Sequence, residues 1–225
     1  MSYTFLEYPD REALTMDLAN QLAGELRSAL AQNDRVAFAV PGGTSPGPVF
    51  DDLCAVSLDW DRVSVMLTDE RWVPEDSERS NTRLLRERLL VEKAAAAHLL
   101  PMYLDCTHPE ERIAELSDII APNLPLGVVL LGMGADMHTA SLFPGADRLV
   151  EALTPGAPIV LPMRAPGAPE PRITLSAEVL NGALRKHLLI FGQDKREALE
   201  RSRSLTPLEA PISAVLDGAT VHWAE

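Results

Sequence analysis

The sequence has little cysteine and no long hydrophobic run. Cys54 and Cys106 are the only two cysteines, and neither belongs to a CxxC pair or a group of histidines. This spacing excludes a disulfide framework and a cysteine metal site. No apolar stretch approaches the roughly 20 residues that a membrane-spanning helix needs. The first residues are acidic and lack the layout of a signal peptide, so we expect a reduced, cytoplasmic protein.

Positive charge is also scarce in this sequence. Lys and Arg number 20 against 33 Asp and Glu, which gives a formal net charge of −13 at pH 7. Nucleic acids and anionic membrane surfaces are bound by basic surfaces, so we expect neither as a partner. An anionic small-molecule ligand would need a local group of basic residues to overcome the overall negative field.

The sequence does contain a regular alternation of apolar runs and amphipathic segments. Behind Asp10, a capping residue, leucine recurs at positions 14, 18, 22, 26 and 30, which predicts a helix with one buried face. Apolar runs predict strands at residues 35–40, 62–68, 126–132, 158–163, 172–176, 186–192 and 219–224. Further helices are predicted to end near residue 53, to pass through 84–89, and to cover 109–120, 176–180, 194–204 and 211–216.

This alternation favours an α/β fold with a mainly parallel, Rossmann-like sheet flanked by helices on both faces. The proline-rich stretch 155–171 is typical of either a linker or loops within one domain, and the apolar runs inside it favour the second. We therefore expect a single domain over residues 1–225. Ligands of such folds bind beyond the carboxyl ends of the strands, so the loops that follow strands are the candidate sites.

The loop after the strand at 35–40 contains Gly42, Gly43, Thr44 and Ser45. Glycines allow close approach of a ligand to the backbone, and the start of the next helix offers free N–H groups to an anion. The alternative is a tight turn in which a hydroxyl caps the helix. The segment matches neither a Walker loop nor GxGxxG.

A run of charged residues follows the strand at 62–68. Asp69 could orient the hydroxyls of a sugar, and Arg71 could bind a phosphate or carboxylate through its two-pronged guanidinium. Asn81 follows ten residues later. The alternative is a solvated loop held by salt bridges.

An acid and a histidine follow the strand at 126–132. Imidazole changes its charge near neutral pH, so His138 is a candidate general base, and Asp136 could orient its ring or bind the substrate. Of the five histidines, only His138 follows both a buried run and a glycine turn. A metal site at this pair would need about three protein ligands, and no others are evident.

Two basic residues are candidate partners for an anion. Lys195 is predicted in the first turn of a helix, where the macrodipole disfavours a cation unless an anion binds beside it. Arg172 lies in the run RITLS, with a surface arginine as the alternative.

Taken in order, these segments resemble the 6-phosphogluconolactonase family, whose fold is shared with glucosamine-6-phosphate deaminase. PGGTSP resembles the family's phosphate loop, DERWVPEDSERSN its DERxVP…SN segment, and GMGADMHTASLFPG its GxGxDGHTASLFPG signature. RITLS and FGQDK resemble its later strand and lysine loop less closely. The resemblance extends from the first helix to about residue 216.

This resemblance implies hydrolysis of 6-phospho-D-glucono-1,5-lactone to 6-phosphogluconate, without a metal or an organic cofactor. His138 would activate water, and Asp69 and Asp136 would contact hydroxyls or position that histidine. The phosphate would lie on the loop from Gly42 to Ser45 and be held by Arg71 or Lys195, assisted by Arg172. The sequence does not set the oligomeric state, and a monomer is our expectation.

Two departures from the family pattern are present. Met137 replaces the glycine that usually stands between the acid and the histidine, and a side chain would be strained there if the position has positive φ. The phosphate loop has Thr44 before Ser45, where Ser before Thr is commoner, which changes little chemically.

Two other functions remain to be distinguished. Glucosamine-6-phosphate deaminases resemble GxGxDGHIAFNEPG at the signature, and the acid that follows their histidine is absent from residues 139–144 here. A sugar-phosphate-sensing module would bind its ligand without turnover, but it would have no need for His138 and would normally carry a DNA-binding segment.

Overall fold

A computed structural model describes residues 2–225 of the chain. The strands are β1 (Thr4–Glu7), β2 (Val36–Val40), β3 (Val63–Leu67), β4 (Asp69–Arg71), β5 (His98–Leu99), β6 (Val128–Gly132), β7 (Val160–Met163), β8 (Arg172–Leu175), β9 (Arg185–Phe191) and β10 (Thr220–Ala224). The α-helices are α1 (Arg11–Leu30), α2 (Gly47–Cys54), α3 (Asn81–Arg88), α4 (Ile113–Ile120), α5 (Leu149–Leu153), α6 (Ala177–Asn181) and α7 (Gln193–Ser202). Short 3₁₀ turns cover Trp60–Arg62, Glu92–Ala96, Pro109–Arg112, Ala121–Asn123 and Pro211–Ala214.

The central sheet has seven strands in the order β1-β10-β9-β6-β2-β3-β5, and each neighbouring pair is parallel. Every residue of β2 and β3 is buried, as expected for strands with both faces covered by other elements. The predicted α/β fold with a mainly parallel sheet flanked by helices is therefore confirmed.

The long leucine-rich helix forms as its sequence predicts. The carboxylate of Asp10 accepts the N–H of Ala13 at 2.8 Å and caps α1. All five leucines of the stripe are buried, and they join one hydrophobic cluster that includes residues from Leu14 to Ala224. Among residues 2–225, no helix combines the length and the apolar character needed to cross a bilayer.

The predicted elements differ from the observed ones at the edges. β1 and β5 were not predicted, because neither contains a buried apolar run: β1 is exposed at both ends, and β5 has only two residues. The helix predicted at 109–120 begins as a 3₁₀ turn before α4 starts at Ile113, and the helix predicted at 211–216 is a 3₁₀ turn.

A second sheet was also not predicted. It contains β4, β8 and β7 as antiparallel neighbours. Thr68 connects the two sheets, because its N–H donates to Val40 O and its carbonyl accepts the N–H of Leu175, each at 2.9 Å. The expectation of a charged loop at Asp69–Arg71 is wrong, since these residues pair with β8 as a strand.

The order of the strands decides where the candidate loops meet. β9, β6, β2 and β3 are consecutive parallel neighbours, so the loops that follow them meet at the carboxyl-terminal end of the sheet. The second sheet brings Arg172 to the same end of the central sheet by pairing it with Arg71. The carboxyl-terminal end of a parallel sheet is where α/β proteins bind their ligands.

Candidate active site

A cleft of about 270 Å³ opens at the carboxyl-terminal end of the central sheet. Every predicted site residue except Asp136 lines it: Gly42, Gly43, Thr44, Ser45, Asp69, Arg71, Asn81, His138, Arg172 and Lys195. Asp136 lies beside the ring of His138. Segments that are far apart in the chain therefore form a single concave surface rich in polar groups, as small-molecule sites do.

His138 and Asp136 form a hydrogen-bonded pair. Nδ1 of His138 lies 2.5 Å from Oδ1 of Asp136, and the same oxygen accepts the backbone N–H of His138 at 3.2 Å. Because Nδ1 faces the carboxylate, Nε2 is the ring nitrogen left for the cleft. The hydrogen bond from His138 lowers the pKa of Asp136, although burial opposes that shift. This carboxylate is therefore charged at neutral pH.

The turn that carries the pair is tight. Met137 N donates to Gly134 O at 2.9 Å, and Gly134 N donates to His138 O at 3.0 Å. A Cβ at Gly134 would collide with the imidazole. Met137 has φ +65°, so the chain places a methionine in the left-handed conformation that glycine favours.

Asp69 is a second carboxylate of the cleft, and it is buried. Its Oδ2 accepts the hydroxyl of Ser141 at 2.5 Å, and its Oδ1 accepts that of Thr68 at 3.3 Å. Ser141 N in turn donates to the hydroxyl of Thr174 at 3.2 Å. The loop after β6 that carries His138 and Ser141, here called the histidine segment, is thereby bonded to both β4 and β8.

The glycine-rich loop packs against α3. A Cβ at Gly42 would overlap the carboxamide of Asn81, whose Nδ2 donates to Asp69 O at 3.1 Å. The residue before α2 is Pro46, and no side chain among residues 2–225 caps that helix. The alternative of a hydroxyl cap at Thr44 or Ser45 is therefore wrong, and both hydroxyls remain available to a ligand.

Three cations reach the cleft with unused donors. The Nε atoms of Arg71 and Arg172 are buried and have no hydrogen-bond partner within residues 2–225. Burial, and then the positive charge of Arg71, lower the pKa of Arg172. Lys195 lies in the first turn of α7 and has no ion-pair or hydrogen-bond partner in the described part of the chain. A bound anion would satisfy these groups.

Several alternatives from the sequence are now decided. Arg172 is not a surface residue, since only 9 % of its side chain is exposed. The residues from Asp69 to Arg71 do not form a solvated loop, because the first two are buried. In the part of the chain that the structure describes, no three His, Cys, Asp or Glu side chains meet as a metal site would require.

Sequence reasoning did not single out three residues that contact the predicted ones. The ring of Phe143 lies 4.4 Å from that of His138 between centroids, and the guanidinium of Arg172 lies 5.8 Å from the same phenyl ring. Ser141 belongs to the same segment as Phe143, so the motif itself was the available signal. No signal pointed to Thr174, because its role depends on the pairing of β8 with β4.

Comparison with known proteins agrees with this architecture. Residues 9–223 match the family described as glucosamine-6-phosphate isomerases/6-phosphogluconolactonase. The chain is 42 % identical over 230 residues to a 6-phosphogluconolactonase of Mesorhizobium japonicum, with 99 % of this chain and 96 % of that protein covered. A 6-phosphogluconolactonase of Rhizobium meliloti is 40 % identical, with 100 % of both chains covered.

Solved structures show the same fold. The crystal structure of a 6-phosphogluconolactonase from Shewanella baltica superposes with a TM-score of 0.93 at 31 % identity, covering 100 % of this chain and 98 % of that one. The family match and both relatives span almost the whole chain. The chain therefore belongs to the glucosamine-6-phosphate isomerase/6-phosphogluconolactonase family.

Proposed function

We propose that this chain hydrolyses 6-phospho-D-glucono-1,5-lactone to 6-phosphogluconate, as a 6-phosphogluconolactonase of the oxidative pentose phosphate pathway. The names of its full-length relatives support lactone hydrolysis. The observation that carries the mechanism is the His138–Asp136 pair, because the ring of His138 lines the same cleft as Arg71, Arg172 and Lys195.

His138 is the general base in this proposal. Its Nε2 takes a proton from water while the water oxygen attacks the lactone carbonyl carbon, which gives a tetrahedral intermediate. The bond from that carbon to the ring oxygen then breaks, and the imidazolium returns the proton to the departing oxygen. The products are an open-chain hydroxyl and a carboxylic acid, which loses its own proton to water.

Asp136 assists this proton transfer without reacting itself. Its charged carboxylate, 2.5 Å from Nδ1, keeps the proton of the neutral ring on Nδ1 and leaves Nε2 as the acceptor. The same negative charge stabilises the imidazolium while it holds the transferred proton. An acid of this kind orients the base and offsets its charge, as in other histidine-dependent hydrolases.

The phosphate end of the substrate is bound away from this pair. Arg71, Arg172 and Lys195 supply positive charge, and the loop from Gly42 to Ser45 supplies N–H and hydroxyl donors. Asp69 and Asn81 remain for the sugar hydroxyls. A phosphorylated sugar does not cross a bilayer unaided because of its charge, so we also propose a cytoplasmic location.

The experiment that tests this proposal follows freshly generated lactone in a coupled assay with 6-phosphogluconate dehydrogenase, against the spontaneous background. We expect wild-type turnover well above background and a His138→Ala variant reduced by at least about 100-fold. His98→Ala is the matched control, since His98 is exposed and does not line the cleft.

The other outcomes would contradict either the assigned base or the proposed function. A His138→Ala variant with the wild-type rate would remove His138 as the base. No wild-type turnover, with tight binding of 6-phosphogluconate, would favour a sensing module. Release of ammonia from glucosamine-6-phosphate would favour the deaminase reaction.

A further inference from the structure

Glu70 is a buried acid next to the cleft that does not line it. It lies between Asp69 and Arg71 in β4, and successive side chains of a strand face opposite sides. Asp69 and Arg71 line the cleft, whereas the side chain of Glu70 is 0 % exposed and contacts the start of α3. It therefore lies directly behind the ligand-facing residues.

Five donors converge on this one carboxylate. Oε1 accepts the backbone N–H groups of Arg71 and Asn81 at 2.7 and 2.8 Å. Oε2 accepts the backbone N–H and the hydroxyl of Thr82, both at 2.7 Å, and the hydroxyl of Ser80 at 3.2 Å. The acid also lies at the N-terminus of α3, where the helix dipole favours negative charge.

These bonds join three parts of the cleft. Oε1 links the backbone of Arg71 directly to that of Asn81. The carboxamide of Asn81 then donates to Asp69 O and packs against Gly42 at the start of the glycine-rich loop. The histidine segment is attached differently, through the hydroxyl of Ser141. Displacing Glu70 should therefore disturb the phosphate end of the cleft more than the base.

We propose that Glu70 is a positioning residue that fixes Arg71 directly, and the glycine-rich loop through Asn81, in the geometry that binds the substrate phosphate. It acts through these residues and does not touch the substrate. This inference rests on the proposed function, because it assigns the phosphate to that end of the cleft.

The test is Glu70→Gln, which keeps the shape of the side chain but replaces one acceptor oxygen with an amide donor. Whichever way the amide is oriented, at least one backbone N–H of α3 or β4 loses its acceptor. We expect KM for the phosphorylated lactone to rise about tenfold, with kcat changed much less. The ratio of kcat/KM for phosphorylated over unphosphorylated gluconolactone should fall by a similar factor.

Two further variants separate positioning from stability. Thr82→Val removes one hydroxyl donor from Glu70 Oε2 and should raise the same KM by a smaller factor. Glu25→Gln makes the same substitution at another hydrogen-bonded acid, which contacts His187 on the side of α1. It should leave KM unchanged, whatever it does to the melting temperature.

The outcomes are distinguishable. An unchanged KM in Glu70→Gln, with only a lower melting temperature, would overturn the positioning role. If that variant does not fold, an unchanged KM in Thr82→Val would overturn it instead. Absence of lactone turnover in the wild type would reject the proposed function itself. The dissociation constant of 6-phosphogluconate, compared between wild type and Glu70→Gln by calorimetry, would then decide the role of Glu70 separately.

Discussion

At the scale of single residues, Met137 is one of three non-glycine residues with positive φ among residues 2–225, with Glu92 and Ala140. Its φ of +65° falls in a region that costs an ordinary L-residue roughly 1–2 kcal/mol and a glycine almost nothing. It lies between Asp136 and His138, where the required backbone conformation is set by the geometry of the pair. Strain is often found at such sites because the surrounding bonds hold it in place.

Substitutions at Met137 should reveal this strain. We expect Met137→Gly to be more stable than Met137→Val by about 1 kcal/mol, because a β-branched side chain suits positive φ least. At Met16, an exposed position in α1, the order should reverse, since glycine is the poorer helix former. Urea unfolding of the four variants measures this, and the same order at both sites would contradict the argument.

Lys195 is the second residue for which a single substitution is informative. It reaches the cleft with no partner among residues 2–225, so its charge is available to an anion. We expect Lys195→Ala to raise KM by about tenfold with little change in kcat, because the lysine binds substrate and transition state alike. Lys93→Ala is the control, since Lys93 bonds Ser57 on another part of the surface. An unchanged KM would remove Lys195 from the phosphate site.

At the scale of elements, the site depends on how the two sheets are joined. The histidine segment follows β6 of the central sheet, whereas Asp69 belongs to β4 of the small sheet. The hydroxyl of Ser141 connects them through its 2.5 Å bond to Asp69. The segment that follows one sheet is thus held to a strand of the other by a buried bond to the side chain of Asp69.

Removing that connection should affect both stability and turnover. We expect Ser141→Ala to lower the free energy of unfolding by about 1.5–3 kcal/mol, since the lost bond is to a carboxylate, and to lower kcat. Ser202→Ala is the matched control, because Ser202 is also buried but donates only to the carbonyl of Leu199 within α7. Chemical unfolding and steady-state kinetics measure both effects. A Ser141→Ala variant with normal kcat would show that the connection is structural only.

At the scale of the whole molecule, a chain of polar groups with two buried histidines at its centre links α1 to the central sheet. Tyr8 OH lies 2.8 Å from Asp17 Oδ2 and 2.9 Å from Nδ1 of His222. Nε2 of His222 lies 3.0 Å from Nδ1 of His187, whose Nε2 lies 2.7 Å from Glu25. Both histidines are buried, so they belong to the core and not to the surface.

This chain predicts how stability depends on pH. Burial, and then the charge of His187, lower the pKa of His222 from 6.5 to about 4. As pH falls, His222 takes up a proton in the unfolded state before it does so in the folded state. The free energy of unfolding is therefore unaffected by this histidine above about pH 6.5 and decreases between pH 6.5 and 4. Below about pH 4, His222 alone should have lowered the free energy of unfolding by about 3 kcal/mol.

His222→Gln should flatten the acid side of the stability curve, whereas His98→Gln, at an exposed position, should not. Unfolding by urea at several pH values measures the slope, and NMR of the His222 ring follows its protonation directly. Protonation of that ring near pH 6.5 in the folded protein would contradict the assignment.

The sequence by itself determined the elements whose residues carry a local physical signal. The capped leucine stripe of α1 and the apolar runs of β2, β3, β6 and β9 are visible without a structure, because burial requires apolar side chains at a fixed period. Most motif residues from Gly42 to Lys195 could also be named in advance, because they follow such a run, whereas Arg172 and Asn81 were named from their motifs.

Only the tertiary structure decided how those residues meet. The antiparallel pairing of β4 with β8 turns a charged segment into a buried strand and brings Arg172 beside Arg71. Four of the five bonds to Glu70 come from the start of α3, and the bond from Ser141 to Asp69 joins segments 72 residues apart. These contacts are non-local, and their energies depend on burial, which no single segment specifies. The sequence thus determined which chemistry is present, and the fold decided which groups act together.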